Sequence, residues 1–204
     1  DALPILNGNG TPAVGPFPAN MPCGGDAVHR HPPSSGLGSN TCMQDAFNLA
    51  WKLAYAVKGW AQPDLLASYT AERAPVGKQI VARANQSRFD YRHLKDVFGF
   101  DQGVTTQAQM LDRIFAETED AAKIREQLFK ALEIKHYEFN AQGTELNQRY
   151  ASNAVVAESD EEVFLQDPQL HLQATTRPGA KVPHAWLVDA KGQKRSTLDI
   201  SGKG

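Results

Sequence analysis

Two cysteines in 204 residues are too few for a disulfide framework, and Cys23 and Cys42 show no zinc-type spacing. No apolar run reaches the roughly 18 residues of a membrane span; the best stretch, 47–57, is interrupted by Lys52. No charged-then-apolar leader opens the chain, so the expected location is cytoplasmic, with no membrane partner. Positive charge is not in excess either: 21 basic against 23 acidic residues leave a net charge of −2, which argues against nucleic-acid binding through a basic face. Internal repeats and low-complexity tracts are missing, while an apolar content of 41% is too high for general disorder.

What is present changes along the chain. Residues 1–23 are crowded with glycine and proline, which forbids a useful helix and reads as an irregular segment. Gly8-Asn-Gly-Thr-Pro-Ala13 spells a dinucleotide fingerprint in letters only, because Pro12, Gly15, Pro16 and Pro18 prevent the helix that the fingerprint must open. From Thr41 to Val57, the positions Met43, Ala46, Phe47, Ala50, Leu53, Ala54 and Val57 recur at helical spacing and predict the buried face of a helix. Ser39, Asn40 or Thr41 is expected to cap it and Gly59 to close it. A second helix is expected to open near Pro63-Asp64 and to break or kink near Pro75, and residues 105–139 read as one or two amphipathic helices. Strands are expected at Ala154-Val-Val156, at 183–189 and, after a turn at Gly192, at 196–200, with a further turn at Pro178-Gly179.

Residues 25–52 carry the chemistry. Gly25-Asp26 forms a tight turn bearing a carboxylate that can accept hydrogen bonds from sugar-like hydroxyls. Pro32-Pro33 stiffens the next loop and admits a cis bond. Gly36 and Gly38 let the backbone approach something flat. A helix then starts, and the free N–H groups near Gly38, Ser39 and Asn40 form a positive end suited to negative charge.

The wording Gly25-Asp-Ala-Val-His-Arg-His-Pro-Pro33, Gly36-Leu-Gly-Ser-Asn40 and Gln44-Asp-Ala-Phe-Asn-Leu-Ala-Trp-Lys-Leu53 resembles the second flavin-binding motif of group A FAD-dependent aromatic monooxygenases. Within them it is most similar to phenol hydroxylases of the chlorophenol type. Leu146-Asn-Gln-Arg-Tyr-Ala-Ser-Asn-Ala-Val-Val156, Pro178-Gly-Ala-Lys-Val-Pro-His-Ala-Trp-Leu187 and Ser196-Thr-Leu-Asp199 resemble the approach to, and first strands of, that family's thioredoxin-like C-terminal domain.

The resemblance implies an α/β parent with a Rossmann-like FAD-binding domain of the aromatic-hydroxylase type. This chain itself is expected to be mostly helical. Residues 24–100 would be the C-terminal part of the FAD domain, 101–150 a helical connection, and 151–204 the truncated start of the thioredoxin-like domain. By the same resemblance Gly25 and Asp26 would hold the ribityl chain of FAD and Pro33 would lie against the isoalloxazine. Gly38, Ser39 and Asn40 would turn backbone N–H groups toward its carbonyl side, with Gly36 among the cofactor-binding residues for the close approach it allows. The implied reaction is ortho-hydroxylation of a phenol to a catechol, with NADPH and O2, through a flavin C4a-hydroperoxide. The parent is expected to be a homo-oligomer. The resemblance also implies that the phenol-activating acid and tyrosine precede the Gly25-Asp26 motif, so catalytic residues are expected upstream, and no strand–glycine-loop–helix for the ADP half of FAD appears here.

Asp1 and the unfinished strand at Gly204 read as cut ends. The chain is therefore expected to be inactive alone, with some apolar surface meant for sequence outside it. A single compact body of this size would expose about 9,400 Å² and bury roughly 70% of its unfolded surface.

Other readings stand beside this one. A hydroxylase of larger polycyclic aromatics and a non-catalytic relative that keeps the motif are alternatives. His29 and His31 with Asp26 could be a metal site, but H-x-H without a spaced third ligand favours hydrogen bonding in the loop, and no metal is expected. Trp51 reads as core packing, Lys52 as a snorkelled surface charge, Cys42 as a small buried hydrophobe, and the charges of 117–126 as a solvated face. Pro183-His-Ala-Trp186 is assigned to a structural hairpin rather than to a substrate contact.

Overall fold

The computed structural model describes residues 22–62 and 64–200. The glycine–proline segment and its Gly8–Ala13 fingerprint, Pro63 and Gly204 lie outside the described residues. Among the described residues six α-helices and one hairpin follow in order: α1 Leu37–Val57, α2 Asp64–Phe98, α3 Gln107–Phe115, α4 Glu119–Phe139, α5 Gln142–Leu146, β1 Trp186–Val188, β2 Lys194–Ser196 and α6 Thr197–Ile200. α2 is the spine, with α1 on one side and α4 on another, while α3 packs on α4.

The ends of the helices follow their local chemistry. α1 begins earlier than the sequence suggests: its N-cap is Gly36, at φ +60°, and not Ser39, Asn40 or Thr41. Its close is as expected. The N–H of Gly59 reaches Ala56 O and that of Trp60 reaches Tyr55 O, a Schellman ending. α2 runs unbroken for 35 residues through Pro75, whose exposed ring is carried by the packing on both sides. The expected 105–139 helices are two, and Thr106 with Gln109 forms a capping box at the start of α3. Thr118 caps α4.

α1 turns the wrong way round for its sequence. Its buried residues are Leu37, Thr41, Asp45, Asn48 and Lys52. All seven apolar positions expected to be buried are exposed, among them Met43 at 62%, Phe47 at 74% and Val57 at 86%. The total accessible surface is 13646 Å², well above the roughly 9,400 Å² of a compact body of this mass. The outward face of α1 is one source of that excess. No described helix is long and apolar enough to cross a membrane.

Past α5 the chain is mostly irregular but firmly tied. Asn147 Nδ2 donates to the carbonyls of Pro168 and His171, at 2.9 and 2.7 Å, and Tyr137 donates to Asp167 at 2.6 Å. Arg149 forks onto Glu162 at 2.7 and 2.9 Å, holding that carboxyl down at about 2. Ala154-Val-Val156 is not a strand: Ser152 accepts from Val155 N–H and turns the chain. The Pro178-Gly179 turn is present, with Gly179 at φ +81° and packed on the Tyr150 carbonyl, where a side chain has neither the conformation nor the room. The hairpin turns at Gly192 as expected, with Trp186 paired to Ser196. Its strands are shorter than expected, because Asp199 accepts from Ser196 N–H and residues 197–200 wind into α6 instead of extending. His184 stacks edge-on against Trp186 at 5.2 Å in that hairpin.

Candidate functional site

The segment singled out by the sequence gathers around the first turns of α1. Gly25–Ala27 is a short 3-10 turn, and Gly25 sits at φ +64° with Cys42 close behind its Cα, a position suited to glycine. Asp26 is exposed, and its Oδ1 accepts from the Cys42 thiol at 3.8 Å. Cys42 is half-buried rather than the small buried hydrophobe expected, and burial, together with the Asp26 charge, pushes its thiol up.

His31 lies beside Gly38, whose added Cβ would meet the ring at 3.6 Å, and its Nδ1 bonds the Pro32 carbonyl at 2.8 Å. Pro33, Gly36, Ser39 and Asn40 are all exposed. No cis bond occurs among the described residues. Ser35, at φ +66°, is held by its hydroxyl to Ser87 of α2 at 3.2 Å.

The start of α1 carries no side-chain cap. With the N-cap at Gly36, the first i→i−4 bond belongs to the Asn40 amide, so the amides ahead of it are those of Leu37, Gly38 and Ser39. Gly38 and Ser39 of the expected set thus lie ahead of that bond, beside the buried Leu37. Asn40 contributes differently, its side chain donating to the Gly36 carbonyl at 3.1 Å.

Behind this surface lies a polar network centred on Asp45 and Glu72, two carboxylates for which the sequence suggested no role. One carboxylate, Asp45, accepts from Gly25 N–H at 2.9 Å, His29 Nε2 at 2.7 Å and Arg73 Nε at 2.6 Å. Burial alone would raise Asp45, but these hydrogen bonds outweigh it and hold the carboxyl below its ordinary value. Because a carboxylate only accepts, the His29 proton sits on Nε2, and the buried Nδ1 has no partner among the described residues. His29 is thus a loop hydrogen-bonding residue, and no described group of side chains is arranged for a metal ion.

Tyr69 packs its hydroxyl against Gly24, and burial with the Asp45 charge pushes it up to about 12. Two turns beyond Asp45, Lys52 is 0% exposed and not a surface charge at all: its Nζ lies 2.7 Å from Glu72, which also accepts from Asn48 and Ser152. Those bonds outweigh burial and hold Glu72 low. Trp51 is half-buried and meets Tyr55 edge-on at 5.6 Å. The charges at 117–126 are solvated except Arg125, which donates to the Ile114 and Ala116 carbonyls.

A signal for the network was available. Asp45, Asn48 and Lys52 fall at i, i+3 and i+7 within the quoted motif, a polar stripe at helical spacing opposite the apolar one.

Residues 20–84 match the FAD binding domain family. The chain is 49% identical over 183 residues to phenol 2-monooxygenase of Pseudomonas sp. (strain EST1001), covering 88% of this chain and 30% of that protein. It is 45% identical over 186 residues to 2,4-dichlorophenol 6-monooxygenase of Cupriavidus pinatubonensis (strain JMP 134 / LMG 1197), covering 89% of this chain and 31% of that protein. Among solved structures it is similar to the flavin-dependent monooxygenase PieE in complex with FAD and substrate, with a TM-score of 0.79 and 44% identity over 87% of this chain and 31% of that one. The chain thus spans about three tenths of the length of the relatives it matches. The resemblance read from residues 25–52 holds over most of the chain, and the described fold is a mostly helical piece of the FAD-binding aromatic-hydroxylase type.

Proposed function

We propose that this chain is the C-terminal portion of an FAD-dependent monooxygenase that ortho-hydroxylates a phenol, of the chlorophenol type, to a catechol using NADPH and O2. The observation that carries the reading is the start of α1, uncapped by any side chain, set beside the Gly25-Asp26 turn within the segment that matches the FAD binding domain. Backbone donors at a helix N-terminus, next to an exposed carboxylate and glycines without bulk, suit a flat, carbonyl-bearing, hydroxylated ligand.

In this reading Asp26, with Gly25, accepts from the ribityl hydroxyls and Pro33 borders the ring. The Gly36–Ser39 backbone faces the ring carbonyls, with Asn40 holding Gly36 in place. When bound, FAD supplies reducing equivalents from NADPH and activates O2 for insertion into the phenol. The chain's own part is positional and electrostatic. Asp45 fixes the turn, and the positive end of α1 favours negative charge where the ring would lie.

Residues 151–204 are read as the opening of a thioredoxin-like domain, supported by the β1–β2 hairpin and the Pro178-Gly179 turn. By this reading residues 24–100 belong to the FAD domain and 101–150 connect the two. The parent is read as a cytoplasmic homo-oligomer, and the chain alone as inactive.

The test is to purify the longer protein containing this chain. The expected result is a yellow protein whose flavin absorbance bleaches with NADPH and a chlorophenol, recovers in O2, and yields the catechol. A colourless protein that takes up no added FAD overturns the proposal.

A further inference from the structure

We propose that Asp45 is the positioning residue of the flavin loop, and that Arg73 extends its hold to residues 148–150. This rests on the flavin reading given above. A carboxylate offers about four acceptor positions. Asp45 commits two to the loop, Gly25 N–H at 2.9 Å and His29 Nε2 at 2.7 Å, and a third to α2 through Arg73 Nε at 2.6 Å. Both ends of the 25–29 stretch, the one that presents Asp26, are thereby tied to a single buried group on α1.

The surroundings leave that stretch little freedom. Gly24 lies against the Tyr69 hydroxyl and Gly25 against Cys42. The His29 ring fills the space that Gly77 of α2 leaves open, where an added Cβ would meet Cδ2 at 3.3 Å. Arg73 then uses its remaining nitrogens. Nη1 donates to Gln148 Oε1 at 3.0 Å and to Tyr150 Oη at 2.8 Å, and Nη2 reaches the Thr41 carbonyl and Gln44 on α1 at 3.4 and 3.3 Å. The loop, two helices and the segment after α5 thus meet through one ion pair. An asparagine at 45 keeps the size but presents N–H to a donor, so it cannot serve Gly25, His29 and Arg73 together.

The experiment is an FAD titration of apoprotein, on the longer protein, followed by flavin fluorescence beside a thermal unfolding curve for each variant. Asp45→Asn is expected to weaken FAD binding about 10- to 100-fold, the effect of losing charged hydrogen bonds. Arg73→Lys, which keeps charge but loses the fork, is expected to cost about 10-fold, and Tyr150→Phe about 3-fold. Glu72→Gln lowers stability in the same α1–α2 seam without touching the loop, so its FAD affinity should stay within about twofold of wild type.

Wild-type affinity in Asp45→Asn, or a loss in Glu72→Gln that matches it, overturns the assignment while leaving the flavin reading intact. If Asp45→Asn does not fold, Arg73→Lys and Tyr150→Phe decide by the same measure, and wild-type affinity in both overturns it. A wild type that takes up no FAD sinks both readings.

Discussion

The two faces of α1 invert the usual arrangement. Against α2 it presents Thr41, Asp45, Asn48 and Lys52, and outward it presents Met43, Phe47, Leu53 and Val57. The inner face is polar yet almost fully paired, since Asp45 and Glu72 each accept three hydrogen bonds, and Asn48 Oδ1 with His29 Nδ1 are the unpartnered buried side-chain atoms among the described residues. The outer face is apolar and open, the kind of surface that other protein covers. Polarity alone therefore does not say which side of a helix is inside. A charged seam tolerates burial only when each charge meets its partner.

Breaking a partner of the seam should have the largest effect. Lys52→Met removes the cation and strands the Glu72 carboxylate in a buried site, so the unfolding free energy should fall by about 3–5 kcal/mol, read from denaturant midpoints at constant slope. Replacing both partners, Lys52→Met with Glu72→Leu, should recover most of that loss, because neither charge is then left buried alone. If the single and double variants are equally destabilised, the seam is held by shape rather than by charge pairing.

Acid should act on the same side of the helix. Asp45 and Glu72 have ordinary values of 3.8 and 4.5, and both are held lower in the folded chain. A group depressed by folding adds stability above its unfolded value, and that contribution is lost as pH falls through the folded value. Unfolding midpoints measured from about pH 6 to about pH 3 should therefore hold level and then drop below the mid-4 range. Glu72→Gln should start lower and flatten the drop. Glu162, held at about 2 by Arg149, should keep the 149–173 segment closed to protease throughout that range.

Gly143→Ala is expected to act more locally. Gly143 is buried on α5 with the Pro168 carbonyl against its Cα, so an added methyl must push the 167–171 segment away. A loss of about 1–3 kcal/mol is expected, with new cleavage confined to residues 160–175.

The legible and illegible parts divide along physical lines. Helix placement was legible, because helical spacing, the Gly59 ending and the loop glycines are local signals. The flavin-type loop was legible because its residue types sit close together in sequence. Which face of α1 is buried was not. Asp45 finds Arg73 28 residues away and Lys52 finds Glu72 20 away, and a partner at such separation rescues a polar residue that would otherwise face water. Pro75 failed to break α2 because packing on both sides outweighs one missing hydrogen bond. The 154–156 and 197–200 segments misled for the opposite reason: strand-like composition yielded to nearby acceptors, the Ser152 hydroxyl and carbonyl and the Asp199 carboxylate.

The smallest expected effect probes the outer face. Phe47 is 74% exposed and makes no contact that its removal would leave unpaired. Phe47→Ser in this 204-residue chain should therefore shift the unfolding free energy by no more than about 0.5 kcal/mol, the range of an exposed surface substitution. The same substitution in the longer protein separates two cases. An unchanged midpoint means that the apolar face of α1 meets solvent there as well. A loss of about 2 kcal/mol or more means that it is packed. Then the two faces of α1 are both interior, one made so by ion pairs and the other by apolar contact, and the inversion seen in the chain by itself is the imprint of a surface shaped for the rest of a larger fold.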